Sequence, residues 1–407
     1  MTQRLLIIGA GMATAYLLQE LSGCDHGMTI TVIGDEPEVC YNRVLLSGVL
    51  AGETAEHDLQ MLDTTSVIGA VQFLAGTRVD AVDTRNRYVL TDRGESLSYD
   101  LLVFATGANV ARPSVARNGA SGITQLRTLT DVRRLRDFVT GGDRAVVVGG
   151  GLLGLEAAHG LNALGYATTV LHRQPYLMNR QLDAEGGNLL RMTMERSGIA
   201  FRLETSVIAL QTPGQKLTAI TLDDGEELPC DLLVLATGID PNTELARAAG
   251  IASERGVLVD KYMQTSDEFC FALGECSQLG QHCVGLVAPI KLQAQVLSQR
   301  LLGTPGPEFV IESWPTQLKI SGVEIFSAGA LRANGDELVL RDDSAGIYRR
   351  LVLCGDRLVS AVLVGDKREG TWYADLIRTA ADISQYRSGL MFGKDVSEAM
   401  QLSAVAA

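Results

Sequence analysis

Two glycine-rich loops carry the residues best suited to chemistry. Gly9-Ala10-Gly11 and Gly149-Gly150-Gly151-Leu152-Leu153-Gly154 each follow a short apolar run and open an apolar-periodic stretch. At such a turn the glycines let the backbone approach a pyrophosphate, whose charge rests on the unpaired N–H groups of a helix N-terminus. Met12 and Ala13 follow the first loop's glycines, and Leu152 and Leu153 stand within the second loop. Each loop has a distant companion ending in the same tripeptide, Ala105-Thr106-Gly107 and Ala236-Thr237-Gly238. A small residue and a glycine there let the chain turn against a nucleotide with no side chain in the way. After the first loop, Asp35 and Glu36 both stand near the place where a carboxylate accepts from a ribose hydroxyl. After the second, that place holds His172-Arg173, and an arginine there can meet a 2′-phosphate. Glu156 sits early in the second periodic stretch, where a helix dipole favours its charge.

The elements that must position these residues follow from the hydrophobic pattern. Residues 4–8, 12–21 and 28–33 read as strand, helix and strand, and residues 144–148, the stretch from Leu155 and residues 167–171 repeat that order. Duplication of a whole unit within one chain is a stronger signal than either loop alone. In the first copy Thr14 replaces the third glycine, which is expected to loosen the packing of helix on strand. From Trp314 onward the pattern changes to β-branched alternation. Residues 347–353 and 358–364 flank Cys354-Gly355-Asp356-Arg357 as a hairpin of an antiparallel sheet, and residues 372–379 read as helix.

A length of 407 residues is too long for one compact core, so two or three domains are expected. The net charge of -13 argues against a nucleic-acid or anionic-membrane surface, since both need a basic footprint. No apolar run reaches the roughly 18 residues of a spanning helix. The run from Leu5 with Ala13-Thr14-Ala15 imitates a signal peptide, but cleavage there would destroy the first glycine loop, so it reads as structural. The seven cysteines (Cys24, Cys40, Cys230, Cys270, Cys276, Cys283, Cys354) show no C-x-x-C and no zinc spacing, which fits reduced thiols in a cytoplasmic protein with no metal. Cys40 reads as buried and inert, and His282 and Cys283 as structural.

With Phe271-Ala272-Leu273-Gly274-Glu275-Cys276 added to the two loops, the chain resembles flavoproteins of the pyridine nucleotide-disulfide reductase type. That resemblance implies an α/β fold of two Rossmann-like dinucleotide-binding domains, the second inserted in the first, with a C-terminal α+β domain. The layout would be 1–113 and 239–310 for FAD, 114–238 for NADH or NADPH, and 311–407 for the tail domain. It implies FAD contacts from Gly9, Gly11, Met12, Ala13, Asp35, Glu36, Asn42, Arg43, Ser47, Val79, Ala105, Thr106, Gly107, Gly274, Glu275 and Pro289. Contacts to the nicotinamide nucleotide would come from Gly149, Gly151, Leu152, Leu153, Glu156, His172, Arg173, Ala236, Thr237 and Gly238, with Glu156 near the nicotinamide. Hydride transfer between stacked rings needs positioning and exclusion of water, so no catalytic acid or base is assigned. Glu275 stands where relatives carry Asp, and Gly48 where they often carry a lysine near the flavin. A C-x4-C redox pair is absent, which excludes dithiol chemistry.

Longer strings narrow the resemblance. Tyr41-Asn42-Arg43-Val44-Leu45-Leu46-Ser47, residues 177–183, Gly285-Leu286-Val287-Ala288-Pro289 and residues 318–323, which include Lys319 and Ser321, resemble the flavin half of large NADH-dependent nitrite reductases. In those proteins the flavin half continues into iron–sulfur and siroheme domains, whereas this sequence stops at Ala407. The expectation is a free-standing subunit that takes electrons from NADH or NADPH through FAD to a separate acceptor. That acceptor would be an iron–sulfur, rubredoxin-like or molybdenum nitrate reductase component. A rubredoxin or ferredoxin reductase of another pathway is the alternative, and a non-catalytic flavin-binding sensor is a third reading. His172-Arg173 leaves NADH and NADPH both open.

Overall fold

A computed structural model describes residues 2–22, 27–62, 71–116, 119–138, 143–312, 314–318, 320 and 322–405. Cys24, Lys319 and Ser321 lie outside the described residues. The chain divides into two compact units, one of Met1–Leu46, Ala55–Ala111 and Gly238–Glu312, the other of Ser47–Thr54, Arg112–Thr237 and Ser313–Ala407.

The first unit is built on a five-stranded sheet in the order Cys270–Ala272, Leu101–Phe104, Gln3–Ile8, Met28–Ile33, Val71–Leu74, all parallel. Parallel strands covered on both faces read as continuous β-branched and leucine runs. Accordingly Leu5, Leu6, Ile7, Val32 and Val103 are buried. The second unit repeats the sheet as Ala200–Leu203, Ala167–His172, Arg144–Val148, Leu232–Leu235, Ile123–Gln125, again all parallel. In the first sheet the outer strand beside 101–104 comes from after the inserted segment, and in the second its counterpart, Ile123–Gln125, comes from just before the unit's first long strand. Each sheet has an attached three-stranded antiparallel sheet, Val79–Asp83 with Tyr88–Thr91 and Ser96–Ser98, and Val207–Gln211 with Ala219–Leu222 and Glu227–Pro229.

The duplication extends to an ion pair. Arg4 and Asp100 tie the base of the first sheet, with Arg4 donating from its backbone N–H at 2.8 Å and its guanidinium at 2.9 and 3.1 Å. Arg144 and Asp231 repeat this in the second at 3.0, 2.9 and 3.0 Å.

Residues after Ser313 form an antiparallel sheet in the order Thr316–Gln317, Ile325–Gly329, Arg357–Val364, Ile347–Cys354, Asp336–Asp342, covered by the helix Gly370–Thr379. Phe326, Leu351, Leu363, Tyr373 and Ile383 make its core. The expected hairpin and helix are both present, with Gly355 at φ +58 completing the turn. Asp183 joins this sheet to the second Rossmann sheet's helix Ala184–Arg196. It caps the helix by accepting from Gly186 N–H at 2.9 Å and accepts from the Tyr348 hydroxyl at 2.7 Å.

Inside the tail domain, Arg349 is 7% exposed and donates to the Tyr373 hydroxyl and the Met391 carbonyl at 3.2 and 2.6 Å, with Asp366 at 3.7 Å. Hydrogen bonds from Arg368 pull the Asp366 carboxyl down to about 2, further lowered by Arg349. A folded-state value below the unfolded one stabilises at pH above about 4, and that contribution is lost as pH falls towards about 2. Asp366→Asn is therefore expected to flatten the acid limb of stability measured by thermal melting between about pH 5 and 2.

Candidate functional site

The first cradle is made where the strand Gln3–Ile8 runs into the helix Met12–Ser22. Gly9 has φ +111, and a Cβ there would lie 2.1 Å from the Ala105 carbonyl oxygen, so only glycine lets the loop meet the Ala105-Thr106-Gly107 turn. Gly9 N–H donates to the Ile33 carbonyl at 2.7 Å, and Ala105 N–H to the Ile8 carbonyl at 2.8 Å, which locks three strand ends together. At Gly11 a Cβ would approach only the Arg43 guanidinium, at 3.8 and 3.9 Å. A helix N-terminus, a glycine with open space above it and a facing cation form a cradle that fits a dinucleotide pyrophosphate.

Thr14, expected to loosen this packing, is fully buried and its hydroxyl donates to the Gly9 carbonyl at 2.5 Å. The threonine thus replaces close backbone approach with a hydrogen bond. In the second copy Gly154 holds that position, and a Cβ there would lie 1.9 Å from the Gly149 carbonyl.

Arg43 is fixed by neighbours. It pairs with Glu36, and donates to the Tyr41 hydroxyl at 2.9 Å, while that hydroxyl donates to Glu36 at 2.6 Å. Burial lowers the guanidinium's pKa, and Tyr41, Glu36 and Glu275 more than offset it, so the net shift is upward and Arg43 stays cationic. Of the two ribose candidates, Glu36 is committed to this network and Asp35 is exposed. Glu36→Gln is expected to leave Arg43 less firmly held and to raise the FAD dissociation constant roughly tenfold. Flavin fluorescence on dilution reads that change.

The remaining first-cradle residues fall around the same strand ends. Asn42 caps the turn Arg43–Leu45 by accepting from Val44 N–H at 3.1 Å. Ala13 sits against Gly274, whose φ is +80 and whose added Cβ would be 2.9 Å from Ala13. Glu275 follows in the turn Gly274–Cys276, and a Cβ on Gly285 would come within 3.9 Å of its carboxylate. Pro289 is buried in the first turn of the helix Val287–Leu301, which packs on Met12–Ser22. Val79 is 8% exposed at the start of its strand. Two residues outside the sequence expectation complete the scaffold. Asn242 donates to the Thr106 carbonyl at 2.8 Å while Thr106 donates to the Asn242 carbonyl at 2.9 Å. The buried Gln293 accepts from Gly274 N–H at 2.8 Å. Cys40 is buried with φ +52, and burial pushes its thiol up to about 12, against any thiolate chemistry.

The second cradle repeats the first. Gly149 has φ +128, its added Cβ would lie 2.3 Å from the Ala236 carbonyl oxygen, and its N–H donates to the Leu171 carbonyl at 2.8 Å. A Cβ on Gly151 would meet nothing within 4 Å, and the helix Leu152–Ala163 has no side-chain cap. Leu152 and Leu153 open that helix, and Thr237 and Gly238 are exposed beyond Ala236. His172 Nδ1 accepts from Gly150 N–H at 3.0 Å, which leaves the ring proton on Nε2. Burial lowers its pKa, as does the neighbouring Arg173, with Asn179 opposing the shift. His172 therefore braces the loop, while Arg173 beside it is exposed. Glu156 is 8% exposed, with Ser47, itself 5% exposed, donating to its carboxylate at 3.4 Å. Ser47, assigned from the resemblance to the flavin, lies in the same compact unit as the second cradle.

Among the described residues no group of three or more His, Cys, Asp or Glu could hold a metal ion, and no helix is long and apolar enough to cross a membrane. The profile of the family described as pyridine nucleotide-disulphide oxidoreductase matches residues 3–298, and that of the rubredoxin NAD+ reductase C-terminal domain matches residues 315–381. The chain is 38% identical over 387 residues to a nitrite reductase [NAD(P)H] of Bacillus subtilis, covering 94% of this chain and 48% of that protein. Against the nitrite and nitrate reductase relatives it spans about half their length. It is 33% identical to the biphenyl dioxygenase system ferredoxin–NAD(+) reductase component of Paraburkholderia xenovorans, covering 94% of this chain and 95% of that one. Its fold matches the putidaredoxin reductase–putidaredoxin covalent complex with a TM-score of 0.86 at 25% identity, covering 100% of this chain and 99% of that chain. Two Rossmann sheets with matching loops, a match over most of the chain and near end-to-end similarity to one reductase all agree: the chain belongs to the pyridine nucleotide-disulphide oxidoreductase family.

Proposed function

We propose that the chain binds FAD in the first cradle and NADH or NADPH in the second, and passes electrons from the nicotinamide nucleotide to a separate redox protein. The observation that carries this is the exact spatial repeat of a glycine against a carbonyl, Gly9 on Ala105 and Gly149 on Ala236, each at the mouth of a helix N-terminus. When bound, FAD would supply two-electron acceptance from the nicotinamide and one-electron release to the acceptor. The protein's own residues do the positioning. Arg43, held by Glu36 and Tyr41, faces the pyrophosphate or balances the reduced flavin's charge. Asp35 accepts from the ribose, Glu275 from the ribityl chain, and Glu156 from the nicotinamide carboxamide. Arg173, an exposed cation, meets a 2′-phosphate, so NADPH is acceptable alongside NADH.

The similarity to nitrite and nitrate reductase chains supports an acceptor in nitrate or nitrite reduction. A ferredoxin or rubredoxin acceptor is the second reading, favoured by a relative matched over 95% of its length and by the rubredoxin reductase-type tail at residues 315–381. The free cysteines Cys40, Cys230, Cys270, Cys276, Cys283 and Cys354 support a cytoplasmic location. Steady-state reduction of purified candidate acceptors, with each nucleotide in turn, tests the assignment. Turnover with a nitrate or nitrite reductase component and none with ferredoxin or rubredoxin supports the first reading. The reverse supports the second, and no turnover with any electron carrier overturns both.

A further inference from the structure

Residues 47–54 follow the Arg43 turn directly, yet they pack with the unit that holds the second cradle. Their partners lie on one face of the helix Leu152–Ala163. Ser47 donates to the Glu156 carboxylate at 3.4 Å, and the Glu53 carboxylate lies 3.0 Å from His159 Nε2. The Leu50 side chain covers Gly160, where an added Cβ would meet it at 2.9 to 3.1 Å. Positions 156, 159 and 160 are neighbours on a helix surface, so one short segment reads that face residue by residue. Arg136 also holds the segment, donating to the Val49 carbonyl. Gly48, in the middle, is confined: a Cβ there would lie 2.7 Å from the Thr54 hydroxyl.

Resting on the function proposed above, we infer that Ser47 is a positioning residue for the nicotinamide ring, acting through Glu156. A carboxylate has two oxygens, and a donor engaging Oε2 fixes the torsion that aims Oε1. Both groups are shielded from water, which makes a donor to the carboxylate matter more than it would on the surface. The docked segment holds the Ser47 hydroxyl in place, so the aim of Glu156 is set by a contact absent from its own helix. Loss of that hydroxyl leaves the nucleotide bound through the glycine loop and Arg173, while the carboxamide, and with it the reacting carbon, is held less firmly. The cost falls on the rate at saturation and not on affinity.

The test uses the FAD-loaded protein, mixed anaerobically with increasing NADH or NADPH in a stopped-flow instrument. Ser47→Ala is expected to slow flavin bleaching at saturating nucleotide roughly tenfold, with the nucleotide dissociation constant within about twofold of wild type and the FAD content unchanged. Ser47→Thr, which keeps a hydroxyl, is expected to restore the rate to within about twofold. Ser47→Ala added to Glu156→Ala is expected to cost nothing further, because each change alone already removes the Ser47–Glu156 interaction. Bleaching of Ser47→Ala at the wild-type rate overturns the inference, as does loss of FAD from that variant or a multiplicative effect in the double variant. A wild-type protein that neither nucleotide bleaches overturns the proposed function itself and this inference with it.

Discussion

Gly149→Ala is expected to yield a yellow protein that NADH and NADPH no longer reduce efficiently. The added methyl would lie 2.3 Å from the Ala236 carbonyl at a φ of +128, a conformation that L residues rarely adopt. Relief requires moving the loop away from the strand end. Gly149 N–H would then lose its bond to Leu171, and the N–H groups of the helix Leu152–Ala163 would lose their aim at the pyrophosphate. A misplacement of about 1 Å costs on the order of a hundredfold, so the rate of flavin reduction at low nucleotide should fall by about that factor. The first cradle shares no strand with the second, and FAD content should stay near wild type. Absorbance gives the flavin content, and stopped-flow reduction gives the rate.

The mirror change, Gly9→Ala, is expected to remove the flavin. Its methyl would lie 2.1 Å from the Ala105 carbonyl at φ +111. The loop there also carries the bonds from Gly9 to Ile33 and from Ala105 to Ile8, with Ile8, Ile33 and Ala105 all buried. Displacing it costs about 1–3 kcal/mol in backbone strain alone, with overlap of buried backbone added. The variant should purify largely colourless, melt at a lower temperature than wild type and gain little flavin on incubation with excess FAD. Nicotinamide nucleotide binding, followed by calorimetry, should survive in the colourless protein. The two substitutions thus separate the cradles, one losing its flavin and the other its reductant.

The glycine loops and the Ala-Thr-Gly turns were legible because turn chemistry is local: positive φ and close backbone approach demand glycine wherever they occur. The fold was legible for a related reason, since parallel strands covered on both faces write themselves as unbroken apolar runs. The tail sheet was readable from alternation and from the turn at Gly355. What stayed hidden depends on pairs far apart in sequence. Arg4 with Asp100, and Asn242 with Thr106, have no period that marks them, although each lies beside a recognised motif. One reading changed in detail. Thr14 tightens the first loop through its hydroxyl where a looser fit was expected, because a short polar side chain can bond the carbonyl it would otherwise crowd. His172 turns inward to Gly150, leaving Arg173 as the exposed cation. The packing of residues 47–54 on the second unit left no trace in composition, since Leu50 and Gly160 look like ordinary core residues until they are seen together.

Anaerobic mixing of the purified protein with one equivalent of NADH or NADPH tests the central claim most directly. Paired nucleotide cradles predict a protein that carries one FAD per chain and loses its visible flavin absorption rapidly on mixing with at least one of the two. A protein that purifies without flavin and takes none up, or a flavin left fully oxidised by both nucleotides, would contradict it.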